Sequence, residues 1–320
     1  MNRFMEKDLQ KFIATLEDAT HLLNDYPGVS QKNRDFPISL AETAATGFEL
    51  LEDSSGIFED ILKNKPPVRI IQQLSCTGGT LISKCLASLP NVALLSEVNP
   101  LSKLMTKGHP RFSPTDMTYL AVHGRFPLID ELSEKIFKAE INAISEHARL
   151  LGQHLVIRDH SHSDFLVGES ACERGTVRRL LEEDHKLLSL VYVRHPVDSY
   201  LSLINNGWVH YTPDTFDEYC KRCTLFIECN EDSALYRYED FVKDPHTQLG
   251  LICKSLQLPY GEDFNHIFDA NVLSGDSGRS SNTIQKRERR EYDSEFRTEA
   301  LKSNTYLKLC DILDYDPSLD

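Results

Sequence analysis

Basic charge is scarce in this sequence. Thirty-five lysines and arginines face forty-nine aspartates and glutamates, a formal net charge of −14. That balance argues against wholesale binding of nucleic acid or of an anionic membrane. Any anion held by this chain needs a local basic pocket set against an acidic field. Long apolar runs are missing too: no stretch reaches the roughly 18 residues of a membrane helix. The first twenty residues, MNRFMEKDLQKFIATLEDAT, carry acidic side chains and no unbroken apolar run, so they do not read as a signal peptide. The eight cysteines in 320 residues then read as reduced thiols of a cytoplasmic protein rather than a disulfide scaffold. The remaining composition, 40% hydrophobic and 26% charged, is that of an ordinary globular protein with enough chain for a sizeable core.

Residues 1–66 read as a helical extension and residues 67–320 as the main domain. Leu9, Phe12, Ile13, Leu16 and Leu23 recur at near-helical spacing. SLAETAATGFELLEDSSGIFEDILK gives a second helical region, with Ser39 placed to cap it ahead of Glu42. NKPP at 64–67 stops the helix. These helices offer a surface for packing on the body or for a homo-oligomer. After the boundary, strands alternate with helices. VRIIQQL (68–74), HLVIRD (154–159), LLSLVYVR (187–194) and SALYRYED (233–240) read as strands, the third almost continuously apolar, as a strand buried on both faces should be. The alternation predicts an α/β domain with a mainly parallel sheet, whose ligands bind beyond the carboxyl ends of the strands.

Two stretches carry the chemistry. In the first, a strand ends at Leu74, SCTGG makes a tight turn and TLISKCLASL begins a helix. Gly78 and Gly79 let a ligand approach the backbone without a Cβ in the way. The helix N-terminus adds unpaired N–H groups and partial positive charge, and Thr77 and Thr80 add hydroxyls. The G-x-x-x-x-G-K-S/T pattern of a nucleoside-triphosphate loop is absent, so a kinase or ATPase loop fits poorly. An ordinary glycine turn is the competing reading. In the second stretch, VYVRHPVDSYLSLINNGW, Arg194 closes a strand, Pro196 opens a helix, and Ser202 follows the arginine by eight residues. A guanidinium fork and a hydroxyl brought together suit a phosphate monoester. A surface arginine capped by Asp198 competes with that reading.

The glycine turn followed by TL, then LPNV and SE, with VRHPVDSYLS downstream, resembles the sulfotransferase family over about residues 68–290. The nearer likeness is to the Golgi-type, tyrosylprotein and bacterial branches. The resemblance implies a three-layer α/β/α fold of the P-loop type. It implies transfer of a sulfuryl group from 3′-phosphoadenosine 5′-phosphosulfate (PAPS) to a hydroxyl, less readily an amine. The product is 3′,5′-adenosine bisphosphate (PAP), and no metal takes part. Cys76, Thr77, Gly78, Gly79, Thr80 and Leu81 would cradle the 5′-phosphosulfate, and Arg194 and Ser202 the 3′-phosphate. Tyr238, in YRYEDFVKDP, fits the tyrosine that touches the adenine. Gly278, Arg279 and Ser280, in SGDSGRSS, would close over the nucleotide. Lys286, Arg287, Arg289 and Arg290 follow and add positive potential or a solvated basic face.

Many members of the family carry lysine or arginine where Cys76 stands here, and Cys76 cannot supply that charge. Arg158, at the end of HLVIRD, is the candidate substitute, with Lys84 expected to point away. Glu97 is the candidate base, one residue later than the glutamate of the tyrosylprotein pattern. His160 is the alternative base, since cytosolic sulfotransferases use a histidine. RDHSHSDF also admits a metal reading, set below a polar lining for the acceptor pocket. CKRC (220–223) has no second CxxC, so its cysteines are expected to pack rather than bind zinc. Trp208 is placed either to wall the acceptor site or to pack. The acceptor itself, whether small molecule, glycan or peptide, is not legible. A nucleotide-binding or partner-binding protein that has lost catalysis through Cys76 is the rival function, and a nucleoside-phosphate kinase is a more distant one.

Overall fold

The computed structural model describes residues 66–104, 113–171, 175–275 and 283–319. The chain divides into two units, Met1–Lys63 and Asn64–Asp320. The helices expected over residues 9–23 and 39–63 lie outside the described residues.

Strand β1 (Val68–Gln73) runs into helix α1 (Gly79–Ala87) and then strand β2 (Val92–Val98). Helices α2 (Met117–His123) and α3 (Ile129–Leu150) precede β3 (His154–Asp159). A short helix, α4 (Ser161–Phe165), a two-residue strand, β4 (Val167–Gly168), and α5 (Thr176–Leu181) lead to β5 (Leu187–Val193). Then come α6 (Pro196–Asn205), β6 (His210–Tyr211), α7 (Phe216–Glu228) and β7 (Ala234–Arg237). The chain ends in α8 (Tyr238–Lys243), α9 (Pro245–Leu256), α10 (Phe264–Ile267), α11 (Ser294–Lys302) and α12 (Asn304–Leu313).

The main sheet has the order β2-β3-β1-β5-β7, and every pairing is parallel. All six residues of β1 are buried, as a central parallel strand requires. Side-chain alternation sorts its residues between two cores. Val68 and Ile70 pack with Leu155, Ile157, Phe137 and Ile141 on one face. Ile71 packs with Val156, Leu190, Ile82 and Ile252 on the other. Helices therefore cover both faces, giving the expected three layers. A third apolar cluster joins Leu74 and Val193 to Tyr219, Phe226 and Leu309. The polar Arg69 is tolerated inside β1 because its guanidinium donates to the carbonyls of Leu256 (2.6 Å) and Gln257 (3.0 Å), at the negative end of α9.

Three strands stand where the sequence pattern puts them, and the fourth, expected over 233–240, is confined to Ala234–Arg237 because helix α8 begins at Tyr238. The edge strand β2 is the addition. Its residues are all half-buried, and its apolar run, VALL, ends in the polar SE. Because all strands point one way, the segments after β1, β2, β3, β5 and β7 emerge along one edge of the sheet. From the central β1 the chain moves to β2 and β3 on one side, then crosses to β5 and β7 on the other, which opens a crevice at that edge. No helix among the described residues is long and apolar enough to cross a membrane.

Candidate active site

A cleft of about 950 Å³ opens at this edge. Cys76, Gly78, Gly79, Thr80, Leu81, Glu97, Arg158, His160, Arg194 and Tyr238 all line it, though they come from five separate strand ends. Lys84, expected to point away, lines it too, as does Arg287. Four cations, Lys84, Arg158, Arg194 and Arg287, thus face the cleft beside the single carboxylate of Glu97 among the described lining residues. This is a local basic pocket in a chain of net charge −14.

The turn after β1 is built on two left-handed residues, Cys76 (φ 69°) and Gly78 (φ 93°). At Gly78 the reason is packing as well as backbone freedom: a Cβ would come within 2.5 Å of the Tyr238 ring. A left-handed cysteine is uncommon. Here its carbonyl accepts from Arg194 Nη1 at 3.3 Å and its Sγ from Asn206 Nδ2 at 3.5 Å. Gly78 forms the N-cap of α1 with no side-chain cap, so the first amides of the helix lack intrahelical acceptors at the cleft. The Arg194 guanidinium carbon lies 5.0 Å from the centre of the Tyr238 ring, a cation–π stack. Gly78, Tyr238 and Arg194 thus form one layered wall. The Arg194 Nε is buried and has no hydrogen-bond partner among the described residues.

Two expected hydroxyls are placed elsewhere. Thr77 is buried, and its Oγ1 donates to the Leu74 carbonyl at 2.8 Å, closing the turn from inside. Ser202 is buried on α6 and is not among the residues lining the cleft. Asp198 does not pair with Arg194: its carboxylate accepts from Arg289 at 3.0 and 3.4 Å. Gly278, Arg279 and Ser280 lie outside the described residues.

Glu97 owes its position to a β-bulge. The register of β2 on β3 is continuous to Leu95–Ile157 and resumes at Val98–Asp159, so one extra residue is inserted. Glu97 takes φ 59° in that bulge. Ser96 and Ser274 exchange hydrogen bonds across it, Ser96 Oγ donating to the Ser274 carbonyl at 2.8 Å and Ser274 Oγ to the Ser96 carbonyl. Gly275 then covers Glu97 so closely that a Cβ would fall 2.2 Å from its Cγ. Glu97 Oε1 lies 2.5 Å from Arg158 Nη2, and Oε2 lies 3.8 Å from His160 Nε2. Arg158 Nη1 also donates to Ser96 Oγ at 3.2 Å. Burial pushes the His160 imidazole below its ordinary value. Glu97 opposes that shift and Arg158 adds to it.

Beyond His160 the cleft is lined by His162, Asn206, Trp208 and His210. Local motifs do not announce this grouping, because it joins α4 to the segment after α6. In RDHSHSDF, Asp164 accepts from the Thr176 amide (2.7 Å), the Thr176 hydroxyl (2.9 Å) and Asn99 (3.0 Å), so it ties α4 to α5. Asp159 is buried, and burial, with the charge of Asp164 next, pushes its carboxyl well above the usual range. Among the described residues no group of three His, Cys, Asp or Glu side chains is placed to hold a metal ion. Cys220 and Cys223 are buried in the core formed by α6, α7 and α12, and every described cysteine is a free thiol.

No protein-family model matches the sequence, and no curated protein does. Solved structures to which the fold is similar include sulfotransferases and a retinol dehydratase. A sulfotransferase domain from the curacin biosynthetic pathway is 14% identical, with a TM-score of 0.45, over 79% of this chain and 99% of its own. A sulfotransferase domain from a Synechococcus olefin synthase is 16% identical, with a TM-score of 0.48, over 79% and 96%. Mouse sulfotransferase SULT7A1, complexed with PAP, is 12% identical, with a TM-score of 0.37, over 77% and 82%.

Proposed function

We propose that this chain is a PAPS-dependent sulfotransferase acting on an acceptor hydroxyl. The observation that carries this reading is the layered wall of Gly78, Tyr238 and Arg194 beside the Glu97–Arg158 pair in one cleft. The residues fit the donor. The cradle at Gly78 has no room for a Cβ, the α1 N-terminus favours an anion, and the Arg194 Nε is a buried donor without an acceptor. Arg194 and Arg287 would hold the 3′-phosphate end, and Tyr238 the adenine. Gly79, Thr80 and Lys84 would hold the phosphosulfate. When bound, PAPS supplies an activated sulfuryl group whose departing phosphate takes up negative charge.

Glu97 is the base in this reading. Its carboxylate takes the proton of the acceptor hydroxyl as that oxygen bonds to sulfur, a step that contributes on the order of 10²–10⁴ in rate. Arg158 orients Glu97 and meets the charge that Cys76 cannot. His160 Nε2 stands 3.8 Å from the second oxygen of the carboxylate, beyond a direct hydrogen bond. The one-residue offset of Glu97 from the tyrosylprotein pattern equals the single residue inserted by the bulge. Positioning and electrostatics carry the rest, as in phosphoryl transfer.

Calorimetry with PAP, followed by a transfer assay with labelled PAPS and a broad hydroxyl panel, tests the reading. Saturable PAP binding with label transfer is expected. PAP binding without transfer to any acceptor leaves the nucleotide-binding protein as the function, and no PAP binding overturns both. Magnesium-dependent ATP binding in place of PAP is the outcome that a kinase requires.

A further inference from the structure

The histidine-lined part of the cleft has a chemistry of its own. The rings of His160 and His162 are stacked, with centroids 6.1 Å apart. His210 meets His162 edge-on at 6.0 Å. His162 is only 3% exposed, and its Nδ1 has no hydrogen-bond partner among the described residues, yet it lines the cleft. Burial, with His160 and His210 adding to it, pushes its imidazole down to about 3, so at neutral pH the ring is uncharged. Trp208, 36% exposed, lines the same side.

Charge in this sector is balanced. Arg158 is met by Glu97 at 2.5 Å, and Trp208, Asn206 and His162 add none. Among the described lining residues, an ammonium group entering here finds no carboxylate other than the one already paired. A carboxylate or sulfate finds no cation other than Arg158 once Lys84, Arg194 and Arg287 are taken up by the donor, as the sulfotransferase reading has them. Burying a charge without a partner is unfavourable. A neutral imidazole, by contrast, offers one donor and one acceptor, which a hydroxyl can meet whichever tautomer is present.

We infer that the acceptor is an uncharged molecule with a planar ring laid against Trp208 and a second hydroxyl hydrogen-bonded to His162, its reacting hydroxyl facing Glu97. This rests on the sulfotransferase reading, and it assigns His162 as the residue that selects the acceptor.

Trp208 is the only tryptophan in the chain, so its fluorescence reports this sector directly. The full chain, saturated with PAP, is titrated with 3- and 4-(hydroxymethyl)phenol, the matching methylphenols, tyramine and 4-hydroxybenzoate. The hydroxymethylphenols are expected to change the fluorescence saturably and to bind about fivefold tighter than the methylphenols, the worth of one neutral hydrogen bond. Tyramine and 4-hydroxybenzoate should bind at least about tenfold weaker than either. His162→Leu should erase the difference between hydroxymethyl and methyl probes, and His162→Asn, which restores a polar group there, should recover it. Equal binding of the charged probes, no response to any neutral probe, or a preference that survives His162→Leu overturns the inference. The comparison of probes on the unaltered chain decides the matter even if His162→Leu does not fold. PAP calorimetry on the same sample separates the two readings, because loss of PAP binding sinks the sulfotransferase reading, whereas the probe series judges the acceptor alone.

Discussion

Glu97 and Arg158 form a 2.5 Å ion pair at the mouth of the sheet, between side chains 21% and 6% exposed. The two residues stand on neighbouring strands, and the bulge in β2 is what lets the glutamate reach the guanidinium. The pair places the candidate base and the candidate charge stabiliser in each other's hold. A proton arriving on Glu97 lowers the attraction and leaves Arg158 more available to other negative charge in the cleft. Base and cation are in this way coupled rather than independent.

Glu97→Gln removes the base and the ion pair together. Turnover should fall by about 10²–10⁴, while PAP affinity, which depends on the Gly78–Tyr238–Arg194 wall, should stay within about twofold. Arg158 loses its counter-charge in a buried setting, so the melting temperature should also drop. Single-turnover transfer with labelled PAPS, PAP calorimetry and thermal denaturation on one preparation separate the three effects. Unchanged turnover removes Glu97 from the chemistry.

Arg194→Lys tests the wall. The arginine stacks on Tyr238 and bonds the Cys76 carbonyl, and its Nε is buried without a hydrogen-bond partner among the described residues. A lysine keeps the charge but loses the planar fork and the stack. One charged hydrogen bond is worth roughly 1.5–3 kcal/mol, so PAP should bind about ten to a hundred times more weakly. Affinity for adenosine 5′-phosphosulfate, which lacks the 3′-phosphate, should change far less. Equal losses for the two ligands place Arg194 away from the 3′ end.

Gly78→Ala puts a methyl group where the Tyr238 ring stands. The backbone at φ 93° is strained for alanine, and the contact at 2.5 Å is with a ring packed in the core beside Phe241 and Ile82. The cost is roughly 1–3 kcal/mol for the backbone plus whatever the ring displacement adds. The melting temperature should fall by several degrees and PAP binding should weaken in parallel. A variant with native stability and native PAP affinity would show that the turn is an ordinary one.

The strand-end residues of this cleft are legible in the sequence because each follows an apolar run and falls on the same edge by topology. HLVIRD announces β3 and Arg158, and LLSLVYVR announces β5 and Arg194. VALLSEV opens on a short apolar run, VALL, which periodicity alone does not assign to a strand, and nothing in the spacing marks the bulge at Glu97. The hydroxyls of Thr77 and Ser202 are ambiguous in sequence, since a threonine in a turn can face a ligand or close the turn itself, and here Thr77 closes it. The grouping of His162, Trp208 and His210 is set by how α4 and the segment after α6 meet, and spacing along the chain does not encode that meeting. Nor does it reveal that Lys84, one turn into α1, leans into the cleft.

Acid should destabilise this protein through His162. Its folded-state value of about 3 lies below the ordinary 6.5, so the unfolded chain takes up the proton first. The contribution is fully present above about pH 6.5 and is lost as pH falls towards 3. His154, His160 and His195 are shifted the same way, each chiefly by burial. Asp159 works in the opposite sense. Its raised value means that the unfolded chain releases the proton first, so its contribution is lost as pH rises above the ordinary 3.8. The two effects overlap between about pH 4 and pH 6.5, and a pH profile of the unaltered protein alone mixes them. His162→Asn isolates the histidine because it leaves Asp159 in place. Melting temperatures measured from about pH 7 down to about pH 4.5 should fall more steeply for the unaltered chain than for the variant. Parallel curves would mean that His162 is not held neutral by its surroundings, and the uncharged character of the histidine side of the cleft would go with it.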